Sequence, residues 1–420
     1  MHSHPQPHAT ATSAGTSARH AHRSVAEHRQ AVRELLEPLA AGRSQRLPLV
    51  QALGRGLAET VTAPLSLPPF ANSQMDGFAI RSGDVPDGGA ELRVVAPVPA
   101  GASPAALEPG TAAPIMTGAM VPTGADAVVP IERAVPAAFP AAGDEATVWL
   151  PPATAGTFIR EAGSDIEAGE RALAAGTFLG PGQLGLLAAL GLADVLVHPP
   201  LAVLLVTTGD EVVEPGEPLE GGKIYDANGT LLETALRQAG LAVVRAGIST
   251  DNPAELRGLL RSQTAAVDLI VTTGGVSKGA YEVVRQAMDG QDVAFQHVAM
   301  QPGGPQGLGT FDGVPLLGFP GNPVSCLVSF EMFLRPVLSE LFGSPAPRPV
   351  IRARLAQPLT SPAGKHQVRR GTLLADGTVR LEGGESSHLV RALAQSNSLV
   401  HVPVGVDALA AGAEVEVWML

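Results

Sequence analysis

Leu201-Ala-Val-Leu-Leu-Val206 runs directly into Thr207-Thr-Gly-Asp-Glu211, and two later stretches repeat the arrangement: Asp268-Leu-Ile-Val-Thr-Thr-Gly-Gly-Val-Ser-Lys-Gly279, and Val314-Pro-Leu-Leu-Gly-Phe319 leading into Pro320-Gly-Asn-Pro-Val-Ser325. Each is an apolar run of buried-strand length followed by a turn rich in Gly, hydroxyls and charge. Ligands of open α/β sheets bind just past the carboxyl ends of the strands, so three such turns predict one shared site. Around them, strands at 201–207, 241–248, 268–273, 293–299 and 314–319 alternate with helices at 230–239, from Pro253, at 281–288 and at 323–342. That alternation predicts a mostly parallel sheet covered by helices on both faces.

Outward from this block the pattern changes. Residues 1–23 are rich in Ala, Thr, Ser and His and cannot bury enough apolar surface to order themselves, so a disordered tail is expected. Six of the eleven histidines fall in the first 28 residues, but their irregular spacing argues against a physiological metal site. From Ser24 a helical pattern (Val25, His28, Val32, Leu35, Leu36) runs up to Pro38. The Pro-rich crossing Ala63-Pro-Leu-Ser-Leu-Pro-Pro-Phe70 leads to Asp76-Gly77, which reads either as a tight hairpin turn or as part of a functional motif. Short Gly- and Pro-punctuated runs from 82 to 150 predict a small β unit. Arg160, Glu161 and Asp165 gather around Gly163, where turn chemistry alone is a sufficient reason, and a helix follows Pro181. Beyond the linker at 343–349, the last 70 or so residues predict a small β-barrel or sandwich, with Arg369-Arg370-Gly371 and Ser386-Ser-His388 able to reach a neighbouring site.

Composition narrows the partners. At 420 residues the chain is multi-domain by default. A net charge of -12 and 4% aromatics argue against nonspecific nucleic-acid binding, which needs basic groups to neutralise phosphates. With Cys326 as the one cysteine, a disulfide framework and a cysteine metal site are excluded, and a reducing compartment fits. No stretch nears the roughly 18 to 20 apolar residues of a membrane span, and no signal-peptide core is present, so a cytoplasmic protein is expected.

Gly274 and Gly279 are spaced as in a P-loop, but Ala280-Tyr281 stands where Lys-Ser/Thr is required, and no G-x-G-x-x-G follows the first strand. What remains is a Gly-rich anion cradle with carboxylates Asp210, Glu211, Asp226, Asp251 and Glu282 at strand-to-helix turns. That pairing suits a phosphorylated ligand with Mg²⁺.

The motifs Phe70-Ala-Asn-Ser-Gln-Met-Asp-Gly-Phe-Ala, Ile115-Met-Thr-Gly-Ala, Gly163-Ser-Asp-Ile, Thr208-Gly-Asp-Glu, Tyr225-Asp-Ala-Asn, Gly274-Gly-Val-Ser and Phe319-Pro-Gly-Asn-Pro-Val-Ser resemble the ordered motif set of the MoeA family. These are the molybdopterin molybdenumtransferases, also found as the E domain of gephyrin, and the likeness runs from about Ser24 to Leu420. It implies a homodimer of elongated four-domain subunits: a linking and dimerisation domain (24–66 with 157–199), a β insert (67–156), a mostly parallel αβ platform resembling the molybdopterin adenylyltransferase fold (200–345) and a C-terminal β-barrel (346–420). The implied reaction inserts molybdenum from molybdate into adenylylated molybdopterin and releases AMP, with Mg²⁺ as cofactor; the adenylyltransferase and acceptor molybdoenzymes are the implied protein partners.

Carried over by position, the resemblance implies catalytic roles for Asp76, Thr117, Asp165 and Glu211, with Thr117 and Asp165 coming from the partner subunit, and metal ligation by Asp251 and Glu282. It implies substrate binding by Thr207, Gly209, Asp210, Tyr225, Asp226, Gly274, Gly275, Ser277, Lys278, Pro302, Gly303, Pro320, Gly321, Asn322, Pro323, Ser325, Arg369 and Ser387. Three positions depart from the family. Ala71 stands where many relatives have Asp, and Gln301 and Gly304 stand in a turn where others place Lys, a loss that Lys278 is expected to offset. Two alternatives stay open: the adenylyltransferase of the preceding step, and a catalytically weakened paralogue acting as a scaffold.

Overall fold

The computed structural model describes residues 22–141, 146–276 and 283–420, so the expectations for the tail to residue 21 and for Ser277, Lys278, Tyr281 and Glu282 lie outside the described residues. The chain divides into two compact units, one made of the residues to Ala41 with Pro200–Leu341 and Pro347–Leu420, the other of Gly42–Pro199 with Phe342–Ala346.

The first unit holds the block predicted from the three apolar runs. Helix α1 (Val25–Ala40) starts at a capping box: Ser24 accepts from the Glu27 N–H while the Glu27 carboxylate accepts from the Ser24 N–H. It continues through Pro38, where the sequence predicted an end. The block follows as β1 (Ala202–Thr208), α2 (Ala227–Gln238), β2 (Ala242–Ser249), α3 (Pro253–Gln263), β3 (Leu269–Thr273), α4 (Val283–Ala287), β4 (Asp292–His297), β5 (Pro305–Phe311) and β6 (Val314–Phe319). It closes with α5 (Pro323–Ser329), a π-helical turn (Phe330–Leu334) and α6 (Arg335–Phe342).

The sheet order is β2-β1-β3-β6-β5-β4. The first four strands are parallel, and β5 runs antiparallel to both its neighbours. Strands β1 and β3 are buried on both faces, as continuous apolar runs require. On one face Leu256 and Leu260 of α3 and Val283 and Val284 of α4 pack on Leu204, Val206, Ile270 and Leu316. Strand β5 was not among the strands expected; it forms because Gly307 and Gly309 leave space for β4 to lie close across it. Helix α1, assigned by resemblance to the linking domain, packs on the π-helical turn, where Arg29 Nε donates to the Met332 carbonyl at 2.9 Å.

The C-terminal part is a closed barrel. Strands β7 (Val350–Leu355), β8 (His366–Leu373), β9 (Thr378–Leu381), β10 (Ser398–Val402) and β11 (Glu414–Met419) pair in the circuit β8-β9-β7-β11-β10-β8 around Leu355, Val379, Val400 and Val417. Closure removes exposed sheet edges. Met300–Gln301 adds to β8 in parallel, so the turn before β5 is hydrogen-bonded to the barrel.

The second unit carries a mixed five-stranded sheet ordered Ala127–Pro130, Gly77–Ile80, Thr111–Ile115, Ala90–Val94 and Thr147–Leu150, with Phe78, Ile80, Leu92 and Leu150 in its core. Asp76-Gly77 is no hairpin tip. Gly77 opens a central strand, and a Cβ there would meet the Val129 carbonyl oxygen at 2.1 Å. Gln45–Pro48 pairs with Asp194–Val197 beside the helix Pro181–Ala189, around Leu57, Leu179 and Leu187. Among the described residues no helix is long and apolar enough to cross a membrane.

Two buried histidines make the first unit acid-sensitive. Burial, with Arg23 adding to it, pushes His28 down to about 3; burial, then His366 and Arg29, does the same to His401. Both are neutral at pH 7.5 folded or unfolded. As pH falls below the ordinary value of 6.5, the unfolded chain takes up protons that the fold refuses, so stability drops from pH 6.5 toward 3. The melting temperature of the full chain should therefore fall steadily between pH 7.5 and 5, before the carboxylates titrate; a flat profile over that range contradicts this account.

Candidate functional site

Register brings the three turns level. Thr207 of β1 lies opposite Thr273 of β3, and Thr273 lies opposite Phe319 of β6, so the next residues, Thr208, Gly274 and Pro320, leave the sheet at one height. The Gly274 N–H donates to the Phe319 carbonyl at 3.1 Å. Gly274 and Gly275 have φ of 92° and 62°, and a Cβ on them would meet Thr208 O and Val284 N, each at 2.9 Å, so both turns require glycine.

Thr273 ties the turns together. Its hydroxyl donates to the Pro320 carbonyl at 3.3 Å, and receives the Asn228 amide at 3.1 Å and the Cys326 thiol at 3.3 Å. Asn228 also donates to the Gly321 carbonyl at 2.6 Å. Burial pushes the Cys326 thiol up to about 12, so it is inert packing rather than a nucleophile. Asp226 caps α2 by accepting from the Gly229 N–H at 2.8 Å, and its other oxygen pairs with Arg245 at 2.7 Å. It is 2% exposed, and Arg245 also grips Glu214 through both carboxylate oxygens.

The cleft above these turns has a volume of about 1030 Å³. Of the residues singled out in the sequence, it gathers Thr207, Gly209, Glu211, Tyr225, Asp226, Asp251, Gly274, Gly275, Pro302, Gly303, Pro320, Gly321, Asn322, Pro323, Ser325 and Ser387. Asp210 and Asp251 hold each other at its edge: the Asp251 N–H donates to Asp210 Oδ1 at 2.9 Å and the Asp210 N–H to Asp251 Oδ2 at 3.4 Å. Asp210 and Arg369 are not among the cleft-lining residues, and Arg369 reaches the Gly383 carbonyl at 3.5 Å. Ser277, Lys278 and Glu282 lie outside the described residues.

The barrel forms the far wall with Lys365 and with Glu385 to His388. Buried Arg370 holds that loop from behind through the carbonyls of Ser386, at 3.2 Å, and Gly384. The Val324 N–H donates to the Ser387 carbonyl at 3.1 Å, joining the β6 turn to the same loop. Gln301 accepts from Gln367 at 3.1 Å, a neutral bridge between the β5 turn and β8. Sequence reasoning did not single out Lys365, Glu385, Asn228 or His297. The Tyr225-Asp-Ala-Asn motif was a signal for Asn228; for the barrel residues, only the fold was.

Asp76, Thr117 and Asp165 belong to the second unit. There the N–H and hydroxyl of Thr117 donate to Asp76 Oδ1 at 2.7 and 2.9 Å, and these bonds hold the Asp76 carboxyl below its usual range. Asp165 is exposed, on a turn where its N–H donates to Leu67 O at 2.9 Å.

Two polar atoms of cleft residues, Thr207 Oγ1 and Asn228 Oδ1, are buried with no partner among the described residues. Buried polar groups are normally satisfied, so these two retain hydrogen-bonding capacity beside the cleft. No three His, Cys, Asp or Glu side chains gather in metal-binding geometry among the described residues. A magnesium site carried by a phosphorylated ligand needs only one or two carboxylates, however, and Asp251 and Glu211 fit that demand.

A glycine-lined cleft at the carboxyl end of a mostly parallel sheet, walled by a closed β-barrel, defines an α/β-plus-β protein with its candidate ligand site past the strand ends. Residues 23–191 match the MoeA N-terminal region (domain I and II), residues 204–340 a probable molybdopterin binding domain, and residues 352–420 the MoeA C-terminal region (domain IV). Molybdopterin molybdenumtransferase 2 of Mycobacterium tuberculosis is 45% identical over 412 residues, covering 95% of this chain and 100% of that protein. The molybdopterin molybdenumtransferase of a Nostoc species is 35% identical, covering 88% of this chain and 87% of that protein. A crystal structure of the molybdopterin biosynthesis MoeA protein from Pyrococcus horikoshii OT3 superposes with a TM-score of 0.80 at 25% identity, covering 95% of this chain and 100% of that one. The chain belongs to the MoeA family of transferases, and its role lies in molybdenum cofactor biosynthesis.

Proposed function

We propose that this protein inserts molybdenum from molybdate into adenylylated molybdopterin and releases AMP. The observation that carries this reading is the cleft itself, where three glycine-bearing turns leave neighbouring strands side by side. Breaking a phosphoanhydride requires charge neutralisation at the leaving phosphate and an oriented oxygen nucleophile. Thr207, Asn228, Ser325 and Ser387 supply hydroxyl and amide groups to orient the phosphates, and the glycine turns let backbone approach them closely.

Asp251 and Glu211 are the described residues that would hold Mg²⁺, with Glu282 assigned beside Asp251 by resemblance. When bound, the ion neutralises phosphate charge. Asp76, Thr117, Asp165 and Glu211 are proposed as catalytic residues, a homodimer as the working assembly, and the adenylyltransferase and acceptor molybdoenzymes as partners, all on the resemblance alone. The domain boundaries given above are proposed on the same ground, as is a cytoplasmic location.

The metal assignment is tested by titrating Mg²⁺ against AMP release. Loss of a mere outer-shell partner weakens metal binding roughly 10- to 100-fold, so Asp251→Asn should raise the half-maximal Mg²⁺ concentration by at least ~10-fold. An unchanged titration removes Asp251 from the metal site.

A further inference from the structure

An aromatic ring can lie across a neighbouring strand where that strand carries glycine, and β4 and the segment leading into β5 do this twice. Phe295 is opposite Gly307 and His297 opposite Pro305. A Cβ built on Gly307 would meet the Phe295 ring at 3.0 Å; one built on Gly304 would meet His297 Cε1 and Nε2, each at 2.5 Å. Gly304 has ordinary backbone angles, so it is the imidazole and not the turn that demands glycine there. The ring of His297 fills the space into which a side chain at 304 would project.

That ring stands at a junction. His297 lines the 1030 Å³ cleft and also a second cavity of about 1450 Å³, which shares Val276, His297 and Pro305 with it. His22 packs against the ring with centroids 4.7 Å apart.

Charge gives the position its meaning. Among the described residues lining the cleft none is arginine, and the groups able to carry positive charge are Lys365, His297 and His388. Facing them are the carboxylates of Glu211, Asp226, Asp251 and Glu385, of which Asp226 is already paired with Arg245. Apart from the backbone N–H groups of the glycine turns, those three are the described lining side chains whose charge can favour a tetrahedral oxyanion. Lys365 and His388 come from the barrel, so among the described residues His297 is the group that the sheet itself contributes.

We infer that His297 is an oxyanion-binding residue of this reaction, admitted to the cleft by the space that Gly304 leaves open. The inference rests on the proposed function, and its test separates the two. With wild-type protein, adenylylated molybdopterin and Mg²⁺, AMP release is followed as a function of molybdate concentration. His297→Ala should raise the KM for molybdate roughly 10- to 100-fold, the loss expected for one hydrogen bond to a charged group, with a much smaller change in kcat. Gly304→Ala should reproduce this by displacing the ring, and the double variant should be no worse than either single one.

An unchanged molybdate KM in His297→Ala, or additive effects in the double variant, overturns the inference while the function stands. Should the wild-type protein release no AMP, the function falls, and the inference is then read by equilibrium dialysis against molybdate alone. Weaker retention by His297→Ala than by wild type supports it, and equal retention overturns it.

Discussion

Asp226→Ala should lower the melting temperature of the α/β unit by roughly 8–16 °C, and the ligand cleft should lose its shape with it. Asp226 performs two structural tasks from one buried carboxylate. Capping α2 contributes about 1 kcal/mol by comparison with other helix caps, and breaking a buried ion pair costs about 3 kcal/mol at the low end, which applies because Arg245 keeps Glu214. A total of roughly 4 kcal/mol corresponds to that temperature shift at about 2–4 °C per kcal/mol. Asp226→Asn should fall between, since Asn caps helices well but cannot neutralise Arg245. Thermal melting followed by circular dichroism orders the three proteins; a melting point for Asp226→Ala within 2 °C or so of wild type would falsify this account. The residue reads in sequence as a ligand carboxylate, yet its partners make it the anchor of the turn that presents Asn228.

Glu331→Ala should be comparably damaging. Its carboxylate is 1% exposed and receives Arg348 through two bonds, at 2.7 and 3.1 Å, with Arg335 Nε at 3.8 Å. Removing it leaves two largely buried guanidinium groups to repel each other. Stripping one partner from a buried ion pair costs about 3–5 kcal/mol. Glu331 sits in the π-helical turn on which α1 packs, in the run of helix that begins beside Asn322 and Pro323 at the cleft. Glu331→Gln, which keeps an acceptor for Arg348, should lose clearly less. Urea unfolding of the three proteins gives the comparison, and equal midpoints for Glu331→Ala and wild type would remove the ion-pair cluster from the account.

Much of the fold follows from local pattern. Apolar runs at 201–206, 268–273 and 314–319 become β1, β3 and β6, because buried parallel strands need continuous apolar sequence. Helix α1 was readable from Ser24, though Pro38 did not stop it. Strand β5 escaped because its glycines look like turn residues; their meaning depends on Phe295 lying across Gly307 and the Asp292–Val293 backbone across Gly309, contacts between strands that no local window contains.

The site divides the same way. Gly274, Gly275 and the 320–325 turn were legible, since each directly follows its own strand. Lys365 and Glu385 were not, because they reach the cleft only through closure of the barrel and the pairing of Met300–Gln301 with β8. The central hydroxyl, Thr273, carries no motif signal at all; its importance lies in three hydrogen-bond partners brought from three segments.

The central claim is a molybdate-dependent transfer reaction. Purified full-length protein is incubated with adenylylated molybdopterin and Mg²⁺, with and without molybdate, and AMP is quantified against time. The account predicts AMP release that needs molybdate and reaches one AMP per adenylylated molybdopterin consumed. Release at the same rate without molybdate, or tight binding of adenylylated molybdopterin with no AMP formed, would contradict it.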